Sequence, residues 1–232
     1  SAYAFGLILA AFLTWLFVGA WLTPRFSRRF GPTALATSLA LSGLAMAATL
    51  PFWDDLPLAF QGLGAYVTSF AGREAMRGAV AFGILALPVT CMGLTFPLLL
   101  RWAANHADVG RLVGRLTAVN TVGAVFGALA AGYVVIPALG SERSLLSVAL
   151  AFAALALATA RAPGRPVHRL PAALAALAVV AGILMPRWDI KRLTSGTNVY
   201  FDTPNPPDEL LSVREDMHGG ITTVTIHDGV HT

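Results

Sequence analysis

The sequence predicts an all-α membrane protein: a bundle of about six transmembrane helices, followed by the first β-strands of a truncated soluble α/β domain. Three observations predict this. Of 232 residues, 56% are hydrophobic and only 12% charged, whereas a soluble domain carries about twice that charged share. Apolar runs of bilayer-spanning length alternate with short arginine clusters. After Pro186 the composition shifts to Asp, Glu, Asn, Pro, Thr and His, and the apolar runs shorten to strand length. Residues 1–186 thus form the helical domain, and 187–232 the start of a β-stranded region.

The first span, 2–22, ends at a basic cluster holding Arg25, Arg28 and Arg29. The second covers 32–52 and the third 79–102. Between them, 56–72 is rich in glycine, and Phe60, Leu63, Val67 and Phe70 recur at helical spacing. That pattern reads as an interfacial helix. The fourth span, 116–139, holds no Asp, Glu, Lys, Arg or His; at about 1.5 Å per residue it is long enough for a hydrocarbon core of about 30 Å. A connector with Arg101, Arg111 and Arg115 precedes it. The fifth span, 145–160, and the sixth, 170–186, are short and alanine-rich. Trp21, Trp53, Trp102 and Trp188 all fall at span ends, where an amphipathic indole sits best.

Loop charge tests the count. Six spans put the arginine clusters at 25–29, 101–115 and 161–169 together in the cytoplasm. A seventh span at 56–72 would export one of them. Six spans also place the tail outside, although Arg187, Lys191 and Arg192 follow the last span at once. The protein is therefore expected to be a multi-pass membrane protein, with the lipid bilayer as its first partner. The net charge of +4 comes from these loop arginines and is no nucleic-acid signature.

The fourth span organises the chain. Asn120, Gly123, Ala124, Gly127, Ala128 and Ala131 share one helical face. Gly123 and Gly127 form a G-x-x-x-G pair, which lets another helix approach closely in lipid. Asn120, Gly123, Gly127 and the neighbouring Gly132 are accordingly the expected helix-packing residues, and a helix-mediated homo-oligomer is one use of such a face. A small-ligand or gating position around Asn120 is the alternative.

Chemistry is sparse. Apart from Arg101 at the very end of the third, the six spans as bounded hold no Asp, Glu, Lys, Arg or His, which lowers the expectation of a proton-driven carrier. Pro88 and Pro97 are expected to kink the third span and free carbonyls for Thr90 or Thr95. The single cysteine, Cys91, excludes a disulfide framework and reads as a small buried hydrophobe. The five histidines do not converge; His227 and His231 flank a turn without a third ligand, so no metal site is expected. Ser195 reads as a turn residue. The alternating ITTVTI run followed by Asp228-Gly229 predicts a strand entering a hairpin. Ahead of it, His218, Gly219 and Gly220 are either a bulge or the wall of a substrate pocket. No charged region precedes the first apolar run, so no signal peptide is read there. The chain as a whole reads as a fragment.

The stretches LPVTCMGLTFPLLLRW and VGRLTAVNTVGAVFGALAAGYVVIPALG resemble the membrane region of multi-pass proteins fused to a spermidine-synthase-like (polyamine aminopropyltransferase) domain. Asn120, Thr121, Gly123, Gly127, Pro137 and Gly140 match the family's N-T-x-G-x-x-x-G helix and its P-x-x-G end. The run YAFGLILAAFLTWLFVGAWL is similar to the family's second helix, with Trp15 where a glycine is expected. LTSGTNVYF and VREDMHGGITTVTIHDGVHT are similar to the β-stranded start of the transferase fold. The resemblance implies decarboxylated S-adenosylmethionine as co-substrate, a polyamine as acceptor, and a Rossmann-like domain further on. It implies no catalytic residue and no cofactor within this chain. Gly219-Gly220 stand where spermidine synthases carry Tyr-Gln, which leaves a methyltransferase-like, sensor or transporter-like relative as an alternative.

Overall fold

The computed structural model describes residues 2–64, 66–104, 108–161, 168–195, 209–215, 221–227 and 230–231. Its helices are α1 (Ala2–Phe30), α2 (Ala34–Thr49), α3 (Leu56–Gly64), α4 (Phe70–Ala103), α5 (Val109–Ala130), α6 (Ile136–Ala160), α7 (Arg169–Leu184) and the single turn α8 (Ile190–Leu193). Strands β1 (Glu209–Glu215), β2 (Ile221–His227) and β3 (Val230–His231) form one antiparallel sheet in the order β1-β2-β3.

Among the described residues, three helical runs are long and apolar enough to cross a membrane by length and composition: Phe5–Phe52, Phe70–Ala103 and Val109–Ala160. At about 1.5 Å per residue, the first and third would extend far beyond a bilayer core as straight rods. Each instead contains a glycine at positive φ, Gly31 at 52° and Gly140 at 77°, a conformation that only a residue without Cβ adopts freely. Gly31 turns α1 into α2, and Gly140 breaks the helix within α6. A π-helical turn, Ala131–Val135, joins α5 to α6. Helix α7 is apolar but shorter, at 16 residues.

Helix α2 is the centre of the bundle. It buries ten of its 16 residues, most of them Ala, Ser or Thr, and packs on α4, α6 and α7. Leu39 and Ala40 meet Ala153 and Ala156 of α6 and Ala175 and Ala178 of α7. A Cβ built at Gly43 would lie 2.7 Å from the Ala149 carbonyl oxygen, so α2 and α6 are nearly backbone to backbone. Ser38 and Ser42 return their hydroxyls to the carbonyls of Leu35 and Ser38 (both 2.9 Å), keeping buried oxygens satisfied within the helix.

Helices α1 and α4 run parallel. Leu7 packs against Gly78, Gly19 against Gly93, and Leu22 and Phe26 against Leu94 and Leu98. The third apolar run therefore starts earlier than expected. Ser69 caps α4 by accepting the Gly72 amide (3.2 Å), so the helix begins at Phe70 and its first turns carry Arg73, Glu74 and Arg77. This corrects the expectation of helices free of ionisable groups. It also ends the interfacial helix at Gly64.

Candidate functional site

The α1–α4 interface closes in its middle and opens at its N-terminal end. A Cβ at Gly19 would lie 2.2 Å from the Thr90 carbonyl oxygen, and one at Gly93 2.5 Å from that of Leu16. No larger residue fits either position. Beside this contact, Trp15 donates its Nε1–H to the Phe82 carbonyl (2.7 Å) and packs on the Phe82 ring at 4.6 Å. The indole thus occupies the place where a glycine was expected and sets the spacing of the two helices.

Beyond Trp15 the helices leave a cleft of about 810 Å³, which α3 and the α2–α3 turn complete. One wall is aliphatic, with Leu7 and Ile8 of α1 facing Val80, Ala81, Ile84 and Leu85 of α4. The other end is polar and holds Trp53, Arg73, Glu74 and Arg77. Glu74 is only 8% exposed. Its Oε1 pairs with Arg77 one helical turn on, whereas its Oε2 is buried without a hydrogen-bond partner among the described residues. The Trp53 Nε1–H is likewise buried and unpartnered. Arg73 donates to the Val67 carbonyl (3.2 Å), which fixes the turn ahead of α4. Beside the polar end, one acceptor and one donor are thus buried without a partner among the described residues. Leaving such groups dry costs about 1–3 kcal/mol each, more where one is charged.

Next to this cleft, the segment after α7 is strapped across the bundle end. The Trp188 ring stacks on Trp53 at 5.9 Å, and its Nε1–H reaches the Leu50 carbonyl (2.9 Å). The Trp188 amide meets Glu142 Oε2 (3.3 Å) and the Asp189 amide meets Asp54 Oδ2 (3.1 Å). Arg192 pairs with Asp55. The sheet is fastened as well: Glu215, ending β1, accepts from the amide (2.7 Å) and the hydroxyl of Ser141. Ser141 follows the break at Gly140, so the carboxylate sits where α6 restarts and its free amides collect partial positive charge.

The residues expected from sequence are not brought together. Asn120, Gly123 and Gly127 are all exposed on α5, and nothing lies within 4 Å of a Cβ built at either glycine. Gly132 falls in the π-turn and is half-buried. His218, Gly219 and Gly220 lie outside the described residues. β2 and β3 pair on either side of Asp228-Gly229, as the hairpin reading expected, with His227 opposite Val230 and His231 opposite Ile226. The two histidines are therefore not register partners. Ser195 makes the expected turn, its hydroxyl returning to the Arg192 carbonyl (2.7 Å). Thr95 Oγ1 has no partner, so it satisfies no carbonyl freed by the prolines. Cys91 is buried. Among the described residues no group of three His, Cys, Asp or Glu side chains gathers to hold a metal.

The cleft residues were missed because positions 73–78 fall between the two segments read from hydropathy. Ser69 ahead of Arg73-Glu74-Ala75-Met76-Arg77 was the available signal, a helix start carrying a charged turn. Comparison with known proteins returns no match, whether to a family model, a curated protein or a solved structure.

Proposed function

We propose that this chain is the membrane domain of a spermidine-synthase-like protein of the bacterial inner membrane. It crosses the bilayer six times and seats a soluble domain on the end opposite its arginine clusters. The observation that carries this reading is the fastening of the tail: Glu215 on Ser141 and the Trp188 strap on the α2–α3 turn hold the first strands against the helices. A passive tether would not need such contacts. Six crossings follow when the two long runs are hairpins at Gly31 and Gly140, with α4 and α7 adding one each. In the complete protein the soluble domain transfers an aminopropyl group from decarboxylated S-adenosylmethionine to a polyamine; the resemblance in the Asn120 helix and the tail supports that assignment. The resemblance assigns the catalytic groups to a Rossmann-like domain.

The second reading is a ligand-binding module, transporter-like or sensory, with a non-catalytic soluble domain. The cleft around Glu74 favours it. Two measurements separate the readings. A topology reporter fused after Arg192 is expected to report the outer side; a cytoplasmic signal overturns the six-crossing count. The product of the complete reading frame, assayed with putrescine and decarboxylated S-adenosylmethionine, forms spermidine if the transferase reading holds. Absence of product leaves the ligand-binding module.

A further inference from the structure

We propose that the C-terminal end of α1 binds an anionic phospholipid, its phosphodiester held by Arg25, Arg28 and Arg29 and an acyl chain lying along Leu13, Phe17 and Trp21. The inference takes from the proposed function only that the long helical runs cross a bilayer. It does not need aminopropyl transfer.

Helix packing gathers the arginines at one end of the bundle. Leu22 and Phe26 of α1 meet Ala34 at the start of α2 and Leu94 and Leu98 towards the end of α4. Leu39 and Ala40 of α2 meet Ala153 and Ala156 of α6 and Ala175 and Ala178 of α7. Further along the same helices Gly43 faces Ala149 and Gly182 faces Leu146, so α6 ends and α7 starts on the side where α2 starts. Helix α5 starts there too, just after α4 ends. Eight described arginines, from positions 25–29, 101–115 and 161–169, therefore share that end with the single carboxylate of Asp108, a net charge of +7.

The end of α1 gives one lipid both halves of a site. Arg28 and Arg29 stand three and four residues after Arg25, which puts the Cβ of each within about 5–6 Å of that of Arg25. Their guanidinia can fork onto one phosphodiester. All three are exposed, and none forms an ion pair with a carboxylate among the described residues. Arg25 lies over the Trp21 ring, 4.8 Å from its centre, which joins the charged turn to the apolar one before it. Leu13, Phe17, Trp21 and Arg28 fall on one face of the helix, and the three apolar side chains are each more than half exposed. From Leu13 to Arg28 the helix rises about 22 Å, about half of a bilayer of 40–45 Å with its headgroups. That is the depth of one leaflet. A soluble anion would use the arginines and leave the stripe uncovered. A zwitterionic lipid would cover the stripe but bring its own cation to the arginines. A headgroup of net negative charge suits both.

The test is native mass spectrometry of the detergent-solubilised chain, titrated with phosphatidylglycerol, phosphatidylethanolamine and phosphatidylcholine of identical acyl chains. The expected result is retention of phosphatidylglycerol about tenfold above both others, the size of one charge-assisted hydrogen bond. Arg28→Gln combined with Arg29→Gln should bring it down to the level of the zwitterionic lipids, with the thermal midpoint measured alongside. Arg111→Gln combined with Arg115→Gln removes the same charge from the same end and should leave the preference in place. Should the α1 double variant fail to fold, Arg28→Gln alone decides in the same comparison. A fall confined to the α1 variant at an unchanged midpoint supports the site. Equal retention of the three lipids, an equal fall in the α1 and α5 variants, or displacement of phosphatidylglycerol by inorganic phosphate overturns it. None of these outcomes bears on the crossing count, which the topology reporter reads separately.

Discussion

The α1–α4 interface and the exposed face of α5 are written in the same residues and have opposite surroundings. Both carry small residues at helical spacing inside a long apolar helix. At Gly19 and Gly93 the opposing backbone leaves no room for a Cβ, whereas at Gly123 and Gly127 nothing is within reach. Val119, Val122, Val125 and Phe126 on α5 are all more than half exposed. A glycine permits close approach but does not supply a partner; the partner comes from what the neighbouring elements place opposite. At Gly19 that is α4, held at the right height by Trp15 on Phe82. Helix α5 touches the rest of the chain mainly at its two ends.

Substitutions sharpen that contrast. Gly93→Leu should have the largest effect, about 3 kcal/mol or more, because the clash is with backbone and no side chain can yield; loss of a monodisperse species or a large fall in thermal midpoint would register it. Gly43→Leu, facing the Ala149 carbonyl, should cost nearly as much by the same measurement. Glu215→Ala should lower stability by about 1–2 kcal/mol, with hydrogen exchange rising in β1 and at the start of the helix after Gly140 and not in α2. Trp188→Phe keeps the stacking on Trp53 and loses the bond to Leu50, about 1 kcal/mol, read as faster proteolysis of the strap. Gly123→Leu should be the mildest, within about 0.5 kcal/mol in the monomer. If it matches Gly93→Leu in the purified chain, a second copy covers α5 and the contrast collapses.

Much of the helical outline was legible, because apolar length and loop arginines are one-dimensional signals. Of the tryptophans, Trp53 and Trp188 meet at one end of the bundle, whereas Trp21, under Arg25 at 4.8 Å, lies nine residues inside α1. Which helix is central was not legible. Helix α2 is apolar all round, so it shows no face, and only its partners reveal that it is the core. The cleft was hidden for a different reason. Glu74 looks like a loop charge until Ser69 starts a helix beneath it, and its burial depends on α1, more than sixty residues earlier in sequence. The docking of Glu215 on Ser141 spans 74 residues and has no local signature at all.

The parallel pairing of α1 with α4 has a consequence for how the chain is made. Gly19 and Gly93 are separated by 74 residues (93 minus 19), so α1 leaves the ribosome well before its closest neighbour exists. Helix α2 likewise emerges about a hundred residues ahead of the alanines of α6 that cover it. During synthesis both early helices face either lipid or an insertion factor with their small-residue grooves empty. The bundle therefore assembles late, when α4 and α6 arrive, rather than helix by helix as each is released.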